Sequence, residues 1–98
     1  MAKLYYTNKA ISDLSSIWEY TVENWSELQA DKYYSKIVSA CNSLLDSSLV
    51  LPKNYDKVSP ELYGVKSGHH IVFYKKQVND DVLIVRILHE RMDLKRHL

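Results

Sequence analysis

The chain has 98 residues, 46% of them apolar, and its 13 basic and 12 acidic side chains leave a formal net charge of +1. That length holds one small domain, taken as residues 1–98, with a modest core, and the near-neutral balance argues against a nucleic acid as the main direct partner, which would call for a clustered basic surface. No stretch approaches the roughly 18 apolar residues of a membrane span, and Met1-Ala2-Lys3 runs into Leu4-Tyr5-Tyr6 without the apolar core of a secretory signal, so a cytoplasmic location is expected.

Lys3 to Tyr6 reads as a short strand that leads into a helix. Thr7 or Asn8 is suited to cap that helix by accepting a hydrogen bond from an early backbone N–H. Ile11, Leu14, Ile17, Trp18 and Val22 then recur at steps of three and four, with Trp25 near the end, which marks one helical face. Asp13, Glu19 and Glu23 fall between them and are expected to face water.

Ser26, followed three residues later by Gln29, has the pattern of a second helix start. Ala30, Tyr34, Ile37, Cys41 and Leu44 form its apolar stripe, and Tyr33, Val38 and Leu45 widen it. A stripe this broad is expected to meet both the first helix and a sheet. The connection Asn24 to Ser26 is short, so the two helices should form an antiparallel hairpin, with the second stopping before Pro52. Cys41, the sole cysteine, has no internal disulfide partner and reads as a small buried side chain.

The remainder reads as strands: Leu62 to Val65, His70 to Tyr74 after a Ser67-Gly68 connection, and Val82 to Leu88 after the polar turn Asn79-Asp80-Asp81. The last of these is nearly all β-branched or aliphatic, as in a central strand buried on both faces. The order β-α-α-β-β-β describes an α+β fold, a helical hairpin packed on one face of a small, mainly antiparallel sheet.

The sequence has no Gly-rich phosphate loop, no GxSxG elbow and no pair of histidines at helical spacing beside a glutamate. His69 and His70 are adjacent, so in a strand their rings point to opposite faces and do not share an ion. Neither a metal nor a cofactor is expected. The informative segment is the C-terminal one, where Arg86, Arg91, Lys95 and Arg96 fall within eleven residues. Basic groups at the end of a rigid sheet suit an acidic protein surface or a phosphate, and arginine grips either with two parallel hydrogen bonds. Trp18, Trp25, Tyr33 and Tyr34 lie on or near the hairpin, where large aromatics can anchor a partner's amphipathic helix. For Trp18 and Tyr34 a core position is the favoured reading.

Three stretches carry a resemblance. The first is the opening strand and helix with Ala10, Asp13, Leu14, Ile17 and Tyr20. The second is His70-Ile71-Val72-Phe73-Tyr74-Lys75. The third and most specific is Ile84-Val85-Arg86-Ile87-Leu88-His89, then Arg91-Met92-Asp93, then Arg96-His97-Leu98, which fixes residue types over fifteen positions. Together they resemble the ParE branch of the ParE/RelE toxin superfamily, over nearly the whole chain. The resemblance implies the fold just described and a cytoplasmic toxin neutralised by a cognate ParD-like antitoxin, in a toxin–antitoxin hetero-oligomer that meets DNA only through the antitoxin. Members of this branch inhibit DNA gyrase, which makes gyrase the expected target, bound without chemistry. Arg86, His89, Arg91, Asp93 and Arg96 would then contact the target, with Arg86 and Asp93 alternatively a pair that pins the tail. Trp18, Trp25, Tyr33 and Tyr34 would meet the antitoxin.

Two other readings stay open. The RelE branch cuts mRNA on the ribosome, and a nuclease here would use His70, His89, Arg91 and His97. The sequence departs from that pattern: His70 stands where ribosome-dependent members tend to carry arginine, and no tyrosine follows Tyr74. The remaining reading is a nontoxic binding module that keeps the fold.

Overall fold

The computed structural model describes residues 2–46 and 51–98. Strand β1 (Leu4–Tyr6) leads to helix α1 (Asn8–Asn24), and helix α2 (Glu27–Ser43) follows after Trp25 and Ser26 alone. Of the two cap candidates it is Thr7 that serves: its hydroxyl accepts from the Ala10 N–H at 3.0 Å. The Ser26 hydroxyl caps α2 by accepting from the Gln29 N–H at 3.1 Å. So short a connection folds the helices back on each other.

Strands β2 (Lys53–Asn54), β3 (Tyr63–Ser67), β4 (His70–Lys76) and β5 (Val82–His89) complete a five-stranded sheet in the order β1-β5-β4-β3-β2. A four-residue helix, α3 (Leu94–His97), closes the chain. The expected architecture is present, with one addition, β2, whose two residues are too short to show a period. For Asp93 to Leu98 the sequence allows a final helical turn or an extended tail, and the turn is what forms. All pairings are antiparallel except β1 with β5, where Leu4 lies opposite Val82 and Tyr6 opposite Ile84. The long connection such a parallel pair requires runs here through the helical hairpin and then β2, β3 and β4.

One face of the sheet carries the hairpin. Ala10, Leu14, Ile17, Ile37, Cys41, Leu44, Val72, Tyr74, Val82, Ile84 and Ile87 form a buried cluster there. The other face has a smaller cluster, Leu62, Phe73 and Leu88, edged by Tyr55, Val58, Ile71, Val85, Leu94 and Leu98. Strand β5 contributes to both clusters, as its nearly continuous apolar run implied. Cys41 is fully buried.

Three expectations about α1 and α2 are corrected. Asp13 does not face water, because it is drawn into an ion pair with Arg86. Trp18 is not in the core: it is half-buried, and its indole N–H donates to Asp31 Oδ1 at 3.0 Å, tying α1 to α2. Tyr34 is exposed, because it sits one step beyond Tyr33 on the stripe and faces away from the sheet-side cluster. Leu45 does pack on the core, but from the turn after α2.

Between β4 and β5 the register slips. Phe73 faces Arg86 while Tyr74 faces Ile84, which leaves Val85 as the extra residue of a β-bulge. The turn before β5 holds Asn79 and Asp80 at φ 59° and 64°, a left-handed conformation that Asn and Asp tolerate better than most residues.

Candidate functional site

The C-terminal segment is held at its base by one side chain. Arg86 donates from Nε to Asp13 Oδ2 at 2.8 Å and from Nη2 to Asp13 Oδ1 at 2.9 Å. Its third nitrogen, Nη1, donates to the His97 carbonyl at 2.8 Å. Asp13 Oδ2 also accepts the Ile87 backbone N–H at 3.0 Å. Both side chains of the pair are largely shielded, Arg86 16% and Asp13 14% exposed. Hydrogen bonding to Asp13 raises the guanidinium pKa above its ordinary value, so Arg86 stays charged. The expected alternative partner for Arg86, Asp93, is not the one used. Asp93 is exposed and caps α3 instead, its carboxylate accepting the Lys95 N–H at 3.1 Å. Arg91, Lys95 and Arg96 are exposed, while Leu94 and Leu98 turn toward the small cluster on the sheet. The segment therefore has an apolar, anchored side and a basic, free side.

A second feature lies where β4 and β5 meet the end of the hairpin. The Tyr33 hydroxyl on α2 accepts the His69 N–H at 2.9 Å and is 2.6 Å from His70 Nδ1. Gly68 makes this approach possible. It has φ +60°, and a Cβ there would come within 2.5 Å of the Tyr33 ring. The expectation that His69 and His70 point to opposite faces is corrected. His69 belongs to the turn, not the strand, so its ring stacks on His89 at 6.4 Å while the His70 ring meets His89 edge-on at 5.3 Å. His89 Nδ1 in turn accepts the Arg91 N–H at 3.2 Å. Burial, with His89 and His69 close by, lowers the His70 pKa from 6.5 to about 4, so this ring is neutral at physiological pH. Among the described residues no group of three or more His, Cys, Asp or Glu side chains is placed to hold a metal ion.

These histidines floor an open cleft of about 470 Å³ whose walls are Tyr20, Thr21, Trp25, Gln29 and Tyr33. Trp25 is 77% exposed and Tyr20 66% exposed, a large apolar area with nothing against it. The four aromatics expected to meet an antitoxin thus separate. Trp25 and Tyr33 share this cleft. Tyr34 lines a different one of about 310 Å³ with Tyr6, Ile11, Leu14, Ser15 and Val38. Trp18 lines neither and bridges the helices. Tyr20 and Asp13 were missed as site residues. Tyr20 carried a usable signal, since it is a bulky aromatic off the apolar stripe. Asp13 carried none, because its partner lies 73 residues away.

The ParE toxin family model, described as the ParE toxin of the type II toxin-antitoxin system parDE, matches residues 4–94. The chain belongs to the ParE toxin family. It is 32% identical over 98 residues to Toxin ParE of Escherichia coli, covering all of this chain and 94% of that one. It is 29% identical over 92 residues to Toxin ParE1 of Mycobacterium tuberculosis, covering 91% and 90% of the two chains. Among solved structures, a chain from the chromosomal ParDE system of P. aeruginosa superposes with a TM-score of 0.77 at 20% identity, over 91% of this chain and 96% of that one. A chain from the toxin-antitoxin complex RelBE2 of Mycobacterium tuberculosis superposes with a TM-score of 0.66 at 14% identity, over 91% and 98%. At those identities the structures speak for the fold, which is therefore common to ParE and RelE toxins.

Within that fold the four residues a nuclease would use are not one constellation. His70 and His89 are neighbours at the hairpin cleft, and Arg91 is tied to His89 through its backbone N–H. His97 lines a separate cleft of about 180 Å³ with Thr7, Lys9, Ser59, Lys75 and Arg86. A proton shuttle needs its acid and base on the same reacting group, and two clefts do not provide that.

Proposed function

We propose that this ParE-family toxin acts in the cytoplasm by binding DNA gyrase through its C-terminal segment, with no chemistry of its own, and is neutralised by a ParD-like antitoxin in a hetero-oligomer. The observation that carries this reading is the two-sided build of the segment. Arg91 and Arg96 are free and exposed on a backbone whose other side is anchored by Arg86, Leu94 and Leu98. Pre-ordered arginines bind acidic surfaces without first losing chain entropy. In this account Arg91 and Arg96 touch the target, His89 holds the Arg91 backbone, and Arg86 and Asp93 keep the segment in shape. The antitoxin meets Trp25 and Tyr33 at the hairpin cleft, where an amphipathic segment would cover the exposed indole. Trp25→Ala should weaken that complex about tenfold or more by removing one anchor, and unchanged affinity would remove the cleft from the antitoxin's footprint.

The test of function is supercoiling by purified gyrase with and without the toxin, read together with accumulation of cleaved DNA. Inhibition reversed by the antitoxin supports the reading. A second reading, ribosome-dependent mRNA cleavage, has one observation behind it: neutral His70 beside His89 and Arg91. Cut mRNA ends mapped on ribosomes, with gyrase unaffected, would select it.

A further inference from the structure

Strand β1 stops at Tyr6, opposite Ile84. Beyond that point two side chains take the place of a neighbouring strand along β5. The Thr7 hydroxyl donates to the Val85 carbonyl at 2.7 Å, and the Asp13 carboxylate accepts the Ile87 N–H at 3.0 Å. Arg86 stands between these positions, beside the bulge at Val85, and spends two nitrogens on Asp13 and the third on the His97 carbonyl. Among the described residues, the other hydrogen bonds of residues 94–98 run within the segment itself, from Lys95 and Arg96 to Asp93 and from Leu98 to Leu94. Arg86 is therefore the polar tie between that segment and the body of the protein.

We propose that Asp13 is a positioning residue for the target-contacting segment. A guanidinium is a flat, rigid fork, so two bonds to one carboxylate fix its plane and aim its remaining nitrogen. Through that plane Asp13 sets where the His97 carbonyl stands, and with it Lys95 and Arg96. The first helix thus determines the geometry of the last residues. A simple helix–strand ion pair would need only one charge on each side. The third bond, to His97, is what an ion pair alone does not require. This inference rests on the reading that the C-terminal segment meets the target.

Two variants of the full chain separate the roles. Asp13→Asn keeps the shape and leaves an amide oxygen for the Ile87 N–H, but loses the two-point grip. Arg86→Lys keeps the charge pair with Asp13 but loses the planar fork whose three nitrogens hold Asp13 and His97 at fixed angles. Both are measured for amide exchange at residues 94–98 against β5, for inhibition of gyrase supercoiling, and for antitoxin affinity. The expected result is exchange at Arg96 to Leu98 faster by about tenfold and an inhibitory concentration higher by about tenfold, the scale of one charge-assisted hydrogen bond. Exchange at Arg96 to Leu98 rises by more than any change within β5, where the Ile87 N–H itself touches Asp13, and antitoxin affinity stays unchanged. Tail exchange equal to that of the wild type in both variants would overturn the proposal. So would a loosened tail with undiminished inhibition. If the wild-type protein leaves gyrase untouched, the functional reading has failed first, and the exchange data then report only whether Asp13 orders the segment. Should Asp13→Asn not fold, Arg86→Lys carries the same readouts.

Discussion

The two faces of the sheet are built to different standards. Against the helical hairpin, eleven buried residues from both helices and the two longest strands close a continuous core. On the opposite face the buried cluster among the described residues is small, Leu62, Phe73 and Leu88, and what covers it is a loop and the C-terminal segment, with Leu94 and Leu98 at its edge. The first face holds the fold. The second is a thin seat for a segment that must stay in place while leaving its basic side free. If the segment meets the target as proposed, stability and target contact rest on different atoms and should be separable by mutation.

The largest effect is expected on the hairpin face. Ile37 is fully buried there, and Ile37→Ala should cost about 3 kcal/mol in urea unfolding, through lost transfer energy and a cavity. Leu98→Ala on the other face, removing a half-buried side chain, should cost under about 1 kcal/mol. Equal losses would contradict the division between the faces. Next is the shielded pair at the boundary: Asp13→Ala strands Arg86 and the Ile87 N–H, for a loss of about 3 kcal/mol. A change below about 1 kcal/mol would show the pair to be solvated like an ordinary surface bridge.

Gly68→Ala should follow, at about 1–3 kcal/mol, because it combines a left-handed φ with contact against Tyr33. The Tyr33→Phe, Gly68→Ala double variant would not recover this loss, since the ring itself is in the way. Smaller still is the pH response of the histidine cleft. His70 is held at about 4 rather than 6.5, so folding favours the neutral ring. Its contribution is complete above pH 6.5 and is lost as pH falls through about 4. His70→Gln should therefore flatten the fall of stability across that interval. A profile that is identical in the variant would mean that other groups set the acid limb.

Much of this was legible in the sequence because it depends on neighbours in the chain. A first helix start at Thr7 or Asn8 and a second at Ser26, the stripe through Ile37 and Cys41, and a doubly buried strand from Val82 to Leu88 all follow from local pattern. The structure has Thr7 and Ser26 as the caps and the strand running one residue further, to His89. What could not be read depends on contacts between distant residues. Asp13 looked like one more charge on the wet side of a helix until β5 was laid beside it. His69 and His70 look opposed if both have strand geometry, but the turn is Gly68-His69 and the strand begins at His70, so both rings lie beside His89. Trp25, Tyr33 and Tyr34 stand out in the sequence as large aromatics, yet the single step from Tyr33 to Tyr34 turns them to different clefts.

The most direct test of the account is the double variant Arg91→Glu, Arg96→Glu, compared with the wild-type toxin for inhibition of gyrase supercoiling and for melting temperature. Both residues are exposed, so the account predicts loss of inhibition with the melting temperature unchanged. Retained inhibition by a folded double variant would contradict it and move the target contact elsewhere on the protein.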